Sequence, residues 1–194
     1  MEQMQGDAIK RGRRFFLMLA LISAAPVALS YFSYYFWKPK TGLSYGELLP
    51  TQPLKPMPLK DEYGNSASLV GLRGKWLLLV ADGAACKEKC QDALFAIRQL
   101  RLAQGKEMER VERVWLITDG GQISPAMKNF SHGAKILSLS GENTLPVKDG
   151  EAASQYIYLI DPLGNQVMRY ARDADKMKII RELTKLLKYN EAIG

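Results

Sequence analysis

Cys86 and Cys90 are the only cysteines in the 194-residue chain. They stand in C-x3-C spacing within GKWLLLVADGAACKEKC, after a run that reads as a strand and at the start of one that reads as a helix. A thiol at a helix N-terminus lies at the positive end of the backbone dipole, which favours its thiolate, and the flanking Lys87 and Lys89 push the same way. Positions i and i+4 are one helical turn apart, so two such thiols can face one another and either hold a soft metal or close a disulfide. The plainer reading is that two small, buried side chains help to seat a helix.

The elements that must position this pair follow from periodicity. Lys75–Ala81 (KWLLLVA) is a continuous apolar run, as expected of a strand buried on both faces. From Cys86 to about Ala103 the spacing of Cys90, Leu94, Ile97 and Leu100 predicts a helix. Val114–Thr118 and Lys135–Leu139 read as further strands. Gln155–Ile160 and Gln166–Ala171 flank the turn Asp161-Pro162-Leu163-Gly164-Asn165, a hairpin signal. Asp173–Tyr189 reads as an amphipathic helix with Ile179, Ile180, Leu183, Leu186 and Leu187 on one side. Its acids at the start and lysines at the end match the helix dipole. Strand, helix, strand, hairpin and closing helix describe an α/β sandwich of thioredoxin type over residues 61–194. Leu59–Asn65 reads as a strand end and turn. The acidic pair Asp61/Glu62 and the charged run Glu107–Glu112 read as solvated surface. Asp119-Gly120-Gly121 is a strand-end turn without the spacing of a nucleotide-binding loop.

The N-terminus sets the compartment. Phe15 to Trp37 is a stretch of 23 uncharged residues, and about 20 apolar residues cross a bilayer. Lys10, Arg11, Arg13 and Arg14 precede it, which places residues 1–14 in the cytoplasm and the rest of the chain outside. Tyr31, Phe32, Tyr34, Tyr35, Phe36 and Trp37 fit an aromatic belt at the outer interface. The run continues through bulky aromatics past the small residues Ala24, Ala25 and Ala28, which favours an uncleaved anchor over a signal peptide. Arg13-Arg14-Phe15-Phe16-Leu17 resembles a twin-arginine signal, although ordinary positive-inside charge accounts for it. Residues 38–60 carry five prolines and read as an extended connector. Of the chain's net charge of +7, residues 1–40 carry +4. The basicity is therefore largely membrane topology and gives no warrant for nucleic-acid binding.

In their order these landmarks resemble the Sco/SenC family, membrane-anchored thioredoxin-fold proteins of cytochrome oxidase assembly. Leu72-Arg73-Gly74-Lys75-Trp76 is similar to the family's lead into its first core strand. Cys86 and Cys90 fall where its copper-binding cysteines fall. Leu116-Ile117-Thr118-Asp119 resembles its strand ending in aspartate, and Tyr158-Leu159-Ile160-Asp161-Pro162-Leu163-Gly164 resembles its late hairpin. The resemblance covers about Leu59 to Leu187. It departs from the family at three places. The histidine that would complete a Cys-Cys-His copper site, about five residues before the hairpin tyrosine, is absent near Ala153. No proline follows either cysteine, and Gly120-Gly121 replaces the usual continuation after Asp119. The lone histidine, His132, reads as a solvated loop residue.

The resemblance implies a bacterial inner-membrane, single-pass protein with a periplasmic domain. Such a protein would serve the copper-site subunit of a cytochrome c oxidase or its other assembly factors. Two thiolates without a histidine suit Cu(I) and suit Cu(II) poorly. Alternatively, Cys86 and Cys90 act as a thiol–disulfide couple, with Cys86 attacking and Cys90 resolving. A thioredoxin-like oxidoreductase is disfavoured by the spacing and by the placement of Pro146. A peroxiredoxin is disfavoured because no hydroxyl residue precedes Cys86 in Ala81–Ala85. The non-enzymatic alternative is a membrane-tethered assembly or binding module with a structural disulfide.

Overall fold

The computed structural model describes residues 2–36, 44–139 and 151–191. Two compact units emerge, Met1–Leu43 and Ser44–Gly194. The first is a helix, α1 (Glu2–Phe36), with Pro26 inside it. Within it Phe15–Ser33 is 19 residues long with a mean hydropathy of 2.0, enough to cross a membrane by length and composition. Its Phe15, Phe16, Leu17, Met18 and Leu21 are all exposed, as lipid-facing side chains would be. Trp37 and the first part of the expected connector lie outside the described residues.

The second unit is built on one eight-stranded sheet. In chain order its strands are β1 (Glu47–Pro53), β2 (Leu59–Asp61), β3 (Ser66–Ala67), β4 (Trp76–Asp82), β5 (Val111–Ile117), β6 (Lys135–Leu139), β7 (Tyr156–Ile160) and β8 (Asn165–Ala171). They lie side by side as β1-β8-β7-β4-β5-β6-β2-β3. The central β4, β5 and β6 are parallel, and every other pairing is antiparallel. Parallel neighbours need crossovers. These are supplied by α2 (Glu88–Leu102) between β4 and β5, and by the short α3 (Pro125–Phe130) between β5 and β6. The chain closes with α4 (Lys176–Glu191).

The apolar run in β4 has the expected origin. Leu78 and Val80 face a core shared with Leu94, Ile97 and Leu100 of α2 and Ile179, Leu183 and Leu187 of α4. Leu77, Leu79 and Ala81 face a second core with Val114, Leu116, Tyr158 and Ile160. Among the described residues that second face is covered by Leu69 and Leu72 of a 3-10 turn and by Leu54 and Met57, with no long helix.

Two hairpins share one device. In Asp61–Asn65 and Asp161–Asn165 the aspartate Oδ1 accepts the backbone N–H groups two and four residues on, at 2.8–3.0 Å. The asparagine side-chain amide donates to the aspartate Oδ2, at 3.1 and 2.8 Å. The glycine before each asparagine takes φ of +85° and +90°, which a side chain would resist.

Part of the segment expected as a connector is strand. β1 pairs with β8, with a register irregularity between Leu48 and Gln52. Proline cannot donate to a ladder, so Pro50 and Pro53 are tolerated because β1 is the outermost strand. Glu182 of α4 secures the segment leading into β1, accepting from the N–H groups of Tyr45 (2.7 Å) and Gly46 (3.0 Å) and from the Ser44 hydroxyl (2.8 Å).

Candidate functional site

The β4–α2 loop carries Cys86 and leads into Cys90 in the first turn of α2, and its start is shaped by charges from other segments. Asp82 ends β4; its Oδ1 accepts from Gly83 N–H at 2.8 Å. Asp119, just beyond β5, reaches across to accept Ala84 N–H with both carboxylate oxygens, at 3.0 and 3.1 Å, and also binds Gly121 N–H at 3.0 Å. These N–H groups, Gly121 first and then Ala84, hold the Asp119 carboxyl below the usual carboxylate range. The approach leaves no room at Gly83, where a Cβ would lie 2.5 Å from Asp119 Oδ2.

Helix α2 begins at Glu88, two residues later than the sequence predicts. Cys86 lies outside it with φ of +33°, and its N–H bonds to Gly83 O at 3.1 Å, so a turn ends there rather than a helix beginning. Lys87 is extended and caps α2 without a side-chain hydrogen bond. Cys90 is the third residue of α2. The two cysteines are joined by a disulfide with their Cα atoms 5.1 Å apart. Both are only 2% exposed, yet they line one wall of an open groove of about 910 Å³.

The facing wall of the groove comes from the open end of the β7–β8 hairpin, opposite its Asp161–Asn165 turn. Ser154 and Gln155 line it, with Arg172 and Asp173 just past β8. Arg172 ties the walls together: its guanidinium bonds Asp82 Oδ2 at 2.7 Å, Ala81 O at 3.1 Å and Lys89 O at 3.3 Å. Ala153, the position expected to lack the third ligand, begins the 3-10 turn Ala153–Gln155 on this wall. Pro146 and residues 140–150 lie outside the described residues. His132 is in the turn before β6. The Cys86 loop follows the C-terminal end of β4, and β4 and β6 run in the same sense, so His132 sits at the opposite end of the parallel strands. Among the described residues no group of three or more His, Cys, Asp or Glu is arranged to hold a metal ion. Two sulfurs, once reduced, are thus the soft donors that the site offers.

Sequence reasoning singled out the cysteines but assigned no role to Asp119, Arg172 or Gln91, whose side-chain amide bonds Cys86 O at 2.9 Å. For Asp119 the signal was its place at a strand end, and for Gln91 it was the missing proline. Nothing in the local pattern marks Arg172.

The chain is similar in structure to Bradyrhizobium japonicum ScoI with copper bound, at 25% identity and a TM-score of 0.50, over 71% of this chain and 99% of that one. Yeast Sco1 with copper bound aligns at 22% identity and a TM-score of 0.56, over 70% and 92%. A SCO1/SenC family lipoprotein from Bacillus anthracis aligns at 18% identity and a TM-score of 0.54, over 72% and 97%. No curated protein matches the sequence. Residues 76–190 match the family described as the transmembrane-like, thioredoxin-like C-terminal domain. With its thioredoxin-like sheet, Sco1/SenC-type fold and single apolar N-terminal helix, the chain belongs to that family.

Proposed function

We propose that this protein assists assembly of a copper-containing cytochrome c oxidase, working through Cys86 and Cys90 at the groove. The observation that carries the reading is the bridged pair at a groove wall on a Sco-type fold. As a thiol–disulfide couple, the reduced pair would attack a disulfide in the oxidase copper-site subunit. Cys86 sulfur bonds to one target sulfur and the other leaves as a thiol. Cys90 sulfur then displaces the first target sulfur, closing Cys86–Cys90 and releasing a target dithiol. An external dithiol must regenerate the pair. As a copper carrier, the same two sulfurs would hold Cu(I) as cargo in a two-sulfur site.

The N-terminal helix supports a single-pass anchor in a bacterial inner membrane, with the domain in the periplasm, where a disulfide persists. A second reading, a non-catalytic assembly or binding module with a structural disulfide, is favoured by the 2% exposure of both cysteines. A bridge closing so short a loop constrains the unfolded chain little, which weighs against it.

An anaerobic Cu(I) titration of the reduced full chain in detergent, against a competing chelator, tests the copper route. One tight equivalent lost in Cys86→Ser and in Cys90→Ser supports it; no binding above the competitor leaves thiol exchange. Unchanged oxidase assembly in cells carrying Cys86→Ser would sink both routes and leave the binding module.

A further inference from the structure

Cys86 is the one non-glycine residue with positive φ among the described residues. That region is disfavoured for a side-chain-bearing residue, so other contacts must hold it. Both of its backbone polar groups are engaged. Its N–H donates to Gly83 O at 3.1 Å, and its carbonyl accepts from Gln91 Nε2 at 2.9 Å. Gln91 is the residue after Cys90, in the first turns of α2. Cys86 is therefore tied to α2 at two adjacent points, by the disulfide to Cys90 and by the amide of Gln91.

We propose that Gln91 is a positioning residue that stabilises the Cys86–Cys90 disulfide over the dithiol by holding the Cys86 carbonyl against the start of α2. This rests on the reading of the pair as a redox couple. Two ties in parallel reinforce one another, because each is formed at lower entropic cost when the other is in place. The coupling is reciprocal: what the hydrogen bond contributes to the disulfide, the disulfide contributes to the hydrogen bond. On reduction nothing covalent keeps Cys86 at positive φ, and the Gln91 bond then competes with relaxation of the loop. Its loss therefore penalises the oxidised protein more than the reduced one.

The test is equilibrium of the full chain, in detergent micelles, with reduced and oxidised glutathione. Two glutathione thiols are oxidised to one glutathione disulfide. The protein disulfide takes up their two electrons and two protons to become the Cys86 and Cys90 thiols. Rapid alkylation and mass analysis read the fraction reduced. Gln91→Met keeps the side-chain length and removes the donor; Gln91→Ala removes both. We expect the equilibrium constant for reduction to rise about fivefold in each, a potential about 20 mV higher at about 30 mV per tenfold. We also expect the melting temperature of the oxidised protein to fall by more than that of the reduced protein. A constant within twofold of the parent in Gln91→Met, with equal losses of melting temperature in both redox states, would mean that Gln91 only packs, and the inference fails. A parent protein whose disulfide never exchanges with glutathione overturns the redox reading itself, and the inference with it.

Discussion

The Asp119 carboxylate grips the Ala84 N–H with both oxygens, across 35 positions of sequence. It thereby joins the end of one parallel strand to the loop that carries Cys86 on its neighbour. Two loops of a parallel sheet emerge side by side at the strand C-termini, and a short acid on one can order the backbone of the other. Four expectations concern the groups around that contact and at the domain's edge.

Replacing Asp119 by Ala should cost about 1 kcal/mol, below the usual range for hydrogen bonds to a charged group because Asp119 is exposed and screened by solvent. The effect has a pH signature. The folded carboxyl titrates below its unfolded value of about 4. Its contribution is therefore full above that value and is lost as pH falls through the folded pKa. Chemical denaturation from pH 7 down to 2 should show the parent losing its advantage over Asp119→Ala across the acid end alone. A difference that stays constant over the whole range would contradict this.

Gly83→Ala places a Cβ 2.5 Å from Asp119 Oδ2, so the Asp119 carboxylate must leave its place on Ala84 N–H or one of the two loops must move. We expect about 1–3 kcal/mol of destabilisation, as for other overpacked sites. Combined with Asp119→Ala the penalty should shrink, and a double-mutant cycle in denaturant measures the coupling. Additive losses would rule out the clash as the cause.

Arg172→Met removes the guanidinium that spans Asp82, Ala81 O and Lys89 O. It leaves a half-buried carboxylate without its cation, which should cost about 1–3 kcal/mol. Because the same group ties both walls of the groove, alkylation of the reduced cysteines should also accelerate. Unchanged alkylation rates with lowered stability would confine Arg172 to a structural role.

Glu182→Ala releases Ser44, Tyr45 and Gly46 together. A loss of about 2 kcal/mol is expected, with amide exchange rising first in the outer strand β1. Exchange that rises uniformly over the sheet would show that Glu182 supports the whole domain and not this edge alone.

Much of the fold was legible because burial leaves a periodic trace. The run Leu77–Ala81 is apolar on both parities because it is covered on both faces, and Cys90, Leu94, Ile97 and Leu100 are all buried as their spacing predicts. The late hairpin announces itself through Asp161-Pro162-Leu163-Gly164-Asn165, whereas the same D-x-x-G-N pattern at Asp61–Asn65 reads only as a turn. Glu47–Pro53 did not announce itself, because an edge strand with two prolines and a single β-branched residue, Thr51, has no alternation to mark it. Nor was it visible that Cys86 would stand outside α2, since its positive φ comes from the turn closed by Gly83 and the contact from Gln91.

By itself the sequence determined the apolar helix, the order of the core strands with α2, the late hairpin and the closing helix, and the pair of thiols where the first core strand passes into its helix. These depend on local period and spacing, which a single chain displays. Tertiary structure alone decided that β1 joins the sheet, that His132 lies at the far end of the parallel strands, and that Asp119 and Arg172 converge on the cysteine loop. Those partners are brought together by strand order. A polar side chain that is satisfied by a distant segment carries no mark of its partner in its own neighbourhood.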